Sequence, residues 1–259
     1  MKLIKTGTFL IFIFASCFIQ GVYAASGLKE VKDNASNYYA QGKYEDAIAL
    51  WNGLVTSGNS DPNLFYNIGN AQSMQGNTPE AILSYEKALR YKPADGKIRE
   101  AIRKERNKIE NAVIPVNAFF IVEWSRIGLA LLRPGYWALL GLFVLLGALM
   151  QWFASIHIIN RFGIIHGKRI WIILAVGTLI LLISVLSYHQ VHRKDEAIVM
   201  TTCEFHQAPS IESPLIRSLA AGEKVNILDN LADWYKVSLL NLDQGWMKKD
   251  CLNLIQVGK

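Results

Sequence analysis

The chain is 259 residues long and 51% hydrophobic, with a formal net charge of +6 and a mean hydropathy of +0.19. Length alone allows one or two domains, but the apolar excess is concentrated in a few runs, which divides the chain further. The basic balance does not call for nucleic acid, because Lys2 and Lys5 belong to a leader, and Arg161, Lys168 and Arg169 are loop or membrane-edge anchors.

Residues 1–24 read as a signal peptide. A basic start at Lys2 and Lys5 precedes an apolar run from Phe9 to Ile19, and Val22-Tyr23-Ala24 ends it with a small residue. Cleavage after Ala24 is expected. "FASC" offers a second reading with Cys17 lipidated, and an uncleaved anchor is a third.

Residues 25–112 carry an internal repeat. Gly42, Ala47, Ile48 and Trp51 recur as Gly76, Ala81, Ile82 and Tyr85, each 34 residues on. That period belongs to the tetratricopeptide (TPR) repeat, a pair of packed helices. Small residues are expected to let the paired helices approach, and Trp51 and Tyr85 to fill the gap toward the next unit. Asp61-Pro62 and Thr78-Pro79 each place an N-cap residue before a proline at the first helical position. Residues 96–111 then fit a capping helix with an apolar stripe of Ile98, Ala101, Ile102 and Ile109. Glu100, Glu105 and Glu110 interleave with its Lys and Arg residues, which predicts a solvated face rather than a nucleic-acid helix.

Residues 113–133 join the repeats to the first apolar run. Glu123, Arg126, Ala130 and Arg133 fall at helical spacing, with Phe119, Phe120, Ile127 and Leu131 off that strip, as in a helix lying at a membrane interface. A helix packed under the repeats is the alternative. Residues 134–160 and 170–192 contain no Asp, Glu, Lys or Arg. They predict transmembrane helices at 134–156 and 170–190, flanked by Tyr136, Trp137, Trp152, Trp171 and Tyr188. The loop 157–169 carries only basic charge and is expected to be cytoplasmic. Both soluble parts then face the outer compartment, the periplasm of a Gram-negative cell.

Residues 195–259 change texture to short alternating strands, with turn residues at Asp229-Asn230 and Asp243-Gln244-Gly245. Gly222 to Val225, Trp234 to Val237 and Gly245 to Met247 resemble bacterial SH3-like domains, which implies a small all-β barrel. Trp234, Tyr235 and Trp246 are its candidate ligand surface, for a peptide or cell-wall glycopeptide. The resemblance also makes the strands of Cys203 and Cys251 neighbours. A disulfide fits an oxidising compartment, and two buried free thiols are the other outcome. Zinc on Cys203, His206 and Cys251 lacks an evident fourth ligand.

The expected fold class is therefore a multi-domain membrane protein: an α-helical TPR array, a two-helix transmembrane hairpin and a small SH3-like barrel. This order, with "FYNIGNAQSMQGNTPEAILSYEKALRYKP", resembles the BatE-type proteins of the bacterial aerotolerance (Bat) operons. The resemblance implies a non-catalytic inner-membrane scaffold in an envelope stress complex. Its implied partners are von Willebrand A-domain Bat proteins and, indirectly, a MoxR-type ATPase, alongside membrane lipid. A peptidoglycan-binding membrane protein is the alternative function, and an enzyme of unknown type is a third. No His-Glu-x-x-His, G-x-S-x-G or phosphate-binding glycine loop is present in the sequence, and no cofactor, metal or nucleic acid is expected. On the repeat register, Lys29, Lys32, Ser36, Asn63, Tyr66, Asn67, Asn70 and Lys97 should line a peptide groove. Lys32, Asn67 and Lys97 resemble part of a carboxylate clamp, with Ser36 in place of an asparagine and Ala101 in place of a second basic residue. An acidic segment is the expected ligand.

Overall fold

The computed structural model describes residues 27–114, 128–129, 131–132, 134–158, 167–192 and 195–256. The leader, most of the 113–133 segment and residues 159–166 of the loop lie outside these.

Five helices form the N-terminal array: α1 (27–40), α2 (Tyr44–Thr56), α3 (Pro62–Met74), α4 (Thr78–Tyr91) and α5 (Gly96–Arg106). Asp61 caps α3 by accepting from the Asn63 N–H, ahead of Pro62. Asp95 caps α5 through the N–H groups of Lys97 and Ile98. Thr78 does not cap α4. Asn77 takes that position without a side-chain bond, and the Thr78 hydroxyl is spent on Glu105, 3.2 Å away.

The small residues divide into two jobs. Gly69 is a contact: a Cβ there would sit 2.6 Å from the Tyr85 ring. Gly42 and Gly76 have open space around them and φ of +75° and +82°, so they serve the tight turns and not helix approach. Ala35, Ala47, Trp51, Ile68 and Ala71 close one core. Phe65, Ala81, Tyr85, Ala88, Ile98 and Ile102 close the next. Helix α5 stops at Arg106, so Ile109 leaves the expected capping stripe and packs elsewhere.

Helices α6 (Pro134–Ile158) and α7 (Gly167–Val191) pack against each other. Glycine permits the approach: a Cβ on Gly141 or Gly177 would meet Leu181 or Leu145 at 2.7 Å. Their outer faces are apolar and exposed, as at Phe143, Met150 and Trp171. Both are long and apolar enough to cross a membrane. The Ser184 hydroxyl donates to the Pro134 carbonyl at 2.8 Å, which sets the start of α6 beside the end of α7.

The C-terminal module is a seven-stranded antiparallel sheet: β1 (Glu196–Val199), β2 (Cys203–His206), β3 (Leu215–Leu219), β4 (Lys224–Leu231), β5 (Trp234–Ser238), β6 (Gln244–Lys248) and β7 (Leu252–Leu254). Its order is β3-β2-β6-β5-β4-β1-β7, open, with β3 and β7 at the edges. The expected small SH3-like barrel is therefore corrected to an antiparallel sheet that does not close. Val225, Val237, Phe205 and Met247 make a shared core on one face. Asp229 and Asn230 lie within β4, after a bulge at Ile227/Asp229, and the turn instead uses Ala232 at φ +46°. Cys203 and Cys251 are disulfide-bonded, with Cα atoms 6.1 Å apart. Cys203 lies in β2 and Cys251 just before β7, so the bridge joins opposite ends of the sheet order, not neighbouring strands.

The two soluble modules touch. Ile82 and Leu83 of α4 pack with Ile198 and Ile255 of the sheet module, and Ile109 joins them. Around this apolar patch, Arg90 pairs with Glu196 at 3.1 Å. Lys224 lies 2.8 Å from Glu86 and 3.1 Å from Glu196. The Val113 N–H donates to buried Glu223 at 2.5 Å.

Candidate functional site

The groove residues are set by helical spacing: Asn63, Asn67 and Asn70 recur at i, i+4 and i+7 on α3, which places them along one face. The structure brings five of the eight expected residues into two adjoining clefts. Ser36, Asn67 and Asn70 line one of about 120 Å³, with Tyr39 and Trp51. Tyr66, Asn70 and Lys97 line the other, of about 360 Å³. Asn70 lines both, so the clefts adjoin at that residue. Its side-chain oxygen accepts from the Tyr85 hydroxyl at 2.8 Å, which directs its amide N–H groups elsewhere. Burial, then the Glu105 charge, push the Tyr85 phenol above its ordinary range, so it stays a donor.

The other three residues stand apart from these clefts. Lys29 is exposed on α1. Lys32 is held by Asp61 at 2.9 Å, and Ser36 spends its hydroxyl proton on the Lys32 carbonyl. Burial opposes charge on Asp61, yet the bonds from Lys32 and the Asn63 N–H hold its carboxyl below the ordinary range. The Asn63 oxygen accepts from Lys92 at 3.1 Å. Lys32 is thus committed within the fold, and the resemblance to a clamp reduces to Asn67 and Lys97.

Sequence reasoning missed Tyr39, Ser73 and Glu105. The sequence pattern puts Glu105 on a solvated face, but it is 3% exposed. It accepts from Ser73 at 2.5 Å and Lys108 at 2.8 Å, as well as from Thr78. Ser73 and Thr78 lie at the end of α3 and the start of α4. Nothing local hints that an acid from α5 reaches them.

In the sheet module, Lys236 faces Trp246 and Trp234 faces Lys248 across β5 and β6. Trp234 and Trp246 therefore share a face. Buried His206 joins them, opposite Trp246 in register and 5.6 Å from Trp234 in an edge-on ring contact. Tyr235 points the other way, against the core, with the Lys249 ammonium 5.0 Å from its ring. The expected three-aromatic surface is thus a Trp234–Trp246 pair. Gly245 is required beside it, because a Cβ there would lie 2.6 Å from the His206 carbonyl.

A helical-repeat array carrying a docked antiparallel sheet is the class of protein this geometry defines. Two family models match within it: the TPR repeat over residues 35–76 and the bacterial SH3 domain over residues 204–253. The chain thus carries a TPR repeat and a bacterial SH3 domain. No curated protein and no solved structure matches it.

Proposed function

We propose that the protein is a non-catalytic, two-pass adaptor of the bacterial inner membrane, with both soluble modules in the periplasm. Its helical groove holds an extended segment of a partner protein. The observation that carries this reading is the pair of adjoining clefts lined by Ser36, Asn67, Asn70, Tyr66 and Lys97, on helix faces the sheet module does not use. Amide side chains there can bond a peptide backbone in an extended conformation. Docking of the two modules favours one compartment for both, since modules in contact cannot lie on opposite sides of a membrane. The resemblance to BatE-type proteins directs the reading to an envelope complex of aerotolerance, with von Willebrand A-domain Bat proteins as direct partners and a MoxR-type ATPase as an indirect one.

Crosslinking from native membranes tests this. The double change Asn67→Ala and Lys97→Ala should weaken capture of membrane partners at least tenfold, since a charge-assisted contact contributes about 1.5–3 kcal/mol. Undiminished capture by a folded variant would move the binding surface elsewhere. The second reading, peptidoglycan binding, rests on the shared face of Trp234 and Trp246. It requires that the full chain sediment with purified peptidoglycan and that Trp234→Ala abolish this.

A further inference from the structure

The sheet does not close by strand pairing, yet its two ends meet. β2 and β7 stand near opposite ends of the strand order, but Cys203 and Cys251 come within 6.1 Å at Cα and are bonded. The sheet therefore curls, and the cystine clasps the curled ends. β7 is three residues long and pairs with β1, Ala197 with Leu254, Ile198 with Asn253 and Val199 with Leu252. The chain reaches it from β6 through one turn of 3-10 helix, Lys249–Cys251. Just past β7, Ile255 is fully buried with Ile198 against Ile82 and Leu83 of α4. The Ile255 N–H donates to the Glu196 carbonyl at 2.9 Å. The Glu196 carboxylate in turn pairs with Arg90 of α4 and with Lys224. A continuous path thus runs from Cys251 through β7 to the docked face of α4.

We propose that the Cys203–Cys251 disulfide is a redox-controlled clasp on the module interface. A dithiol reductant opens it, β7 comes away from β1, Ile255 withdraws from α4 and the docking loosens. The reaction is thiol–disulfide exchange. Cys251 is partly exposed and Cys203 is buried, so a thiolate of the dithiol attacks the Cys251 sulfur. The S–S bond breaks, a mixed disulfide forms at Cys251, and Cys203 leaves as a thiolate that takes up a proton. The second thiolate of the reductant then attacks the reductant's own sulfur in the mixed disulfide. Cys251 is released as the second thiol and the reductant ends as a cyclic disulfide, so two electrons and two protons pass to the protein. Three paired residues at a sheet edge are a weak hold by themselves, and such segments open locally ahead of the rest of a fold. The Val113 N–H bond to Glu223, the residue before β4, does not depend on β7, so the modules loosen without separating. The inference rests on the docking of the modules and not on what the groove binds.

The test uses the full chain in phosphatidylcholine nanodiscs, oxidised or reduced with dithiothreitol. Docking is read at Lys224, whose ammonium is held by Glu86 and Glu196 with 18% of its side chain exposed. Its acetylation by a water-soluble N-hydroxysuccinimide ester is compared with that of exposed Lys97. Reduction should raise Lys224 labelling and amide exchange at Ile255 by about tenfold each. Exchange across β5 and β6 should stay unchanged, and reoxidation with oxidised glutathione should restore the starting values. Cys203→Ser combined with Cys251→Ser should label as the reduced chain does, with or without dithiothreitol, which separates the clasp from any effect at Cys17. Ile255→Ala should open Lys224 to labelling in the oxidised chain while the disulfide stays intact. A disulfide that stays closed in excess dithiothreitol would overturn the inference. So would Lys224 labelling that neither reduction nor Ile255→Ala changes. Loss of exchange protection across the whole sheet on reduction would also overturn it, by making the cystine a staple of the sheet and not of the interface.

Discussion

Glu105 joins three helices through one carboxylate. Ser73 comes from α3, Thr78 from α4, and Glu105 itself from α5, with Lys108 following on the next turn. Burial alone would raise its pKa. The hydrogen bonds from Lys108 and Ser73, helped by the Lys108 charge and Thr78, outweigh it and hold the carboxyl below its ordinary 4.5. A depressed carboxyl stabilises the fold above its unfolded pKa, and that contribution is lost as pH falls through the folded value. We expect Glu105→Gln to cost about 1.5–3 kcal/mol at pH 7. The loss should appear as faster amide exchange across α3, α4 and α5, and the gap to the parent chain should close as pH falls below about 4.5. A gap that is constant with pH would mean that packing, not charge, sets the residue's role. The sequence hid this because an acid among basic residues on a terminal helix looks solvated. Its partners lie 27 and 32 residues away, and periodicity reports only which face is apolar.

At the scale of elements, what was legible follows the same line. The 34-residue offset exposed the helix pairs, because the positions where helices pack recur with the repeat. The cap at Asp61 was legible because it acts within two residues. The docking of α4 on the sheet module was not, since Lys224 reaches Glu86 across 138 residues and both look like ordinary surface charge. That docking sets the fate of two titrations. Burial disfavours the Lys224 charge, but Glu86 and Glu196 more than restore it and raise the pKa above 10.5. The resulting stability is present below pH about 10.5 and lost as pH rises through the folded value. Burial raises the Glu223 carboxyl above its ordinary 4.5, against the Val113 N–H bond. Its contribution is likewise greatest below pH about 4.5 and lost as pH rises through the folded value. We expect Lys224→Met to strand the Glu86 carboxylate at the interface and cost about 3–5 kcal/mol. Adding Glu86→Met should recover most of this loss. Exchange protection of α4 against β1 reads the outcome, and two simply additive losses would exclude a coupled pair.

At the scale of the whole molecule, the array and the sheet module share an interface while two long apolar helices separate them in sequence. The Ser184 bond to the Pro134 carbonyl holds the start of α6 beside the end of α7, the two ends that face the array and the sheet module along the chain. In the two-pass arrangement we propose, an even number of crossings lets these ends meet and the modules dock. The disulfide adds a chemical condition, because a cystine linking Cys203 and Cys251 persists in an oxidising compartment. Its loop closure over 48 residues contributes about 4 kcal/mol. Topology and redox state therefore stand or fall together. We expect reporter fusions after Asn111 and after Lys259 both to read as exported, and Cys203 and Cys251 to resist thiol labelling in denatured, unreduced protein. Cys203→Ser should lower the stability of the sheet module by about the loop-closure amount without changing the fusion results. A cytoplasmic reading at either fusion, or full labelling of both cysteines in exported protein, would reject this arrangement. Exported fusions with a docking interface that cannot be crosslinked between α4 and β1 would leave the membrane hairpin standing and remove the shared interface.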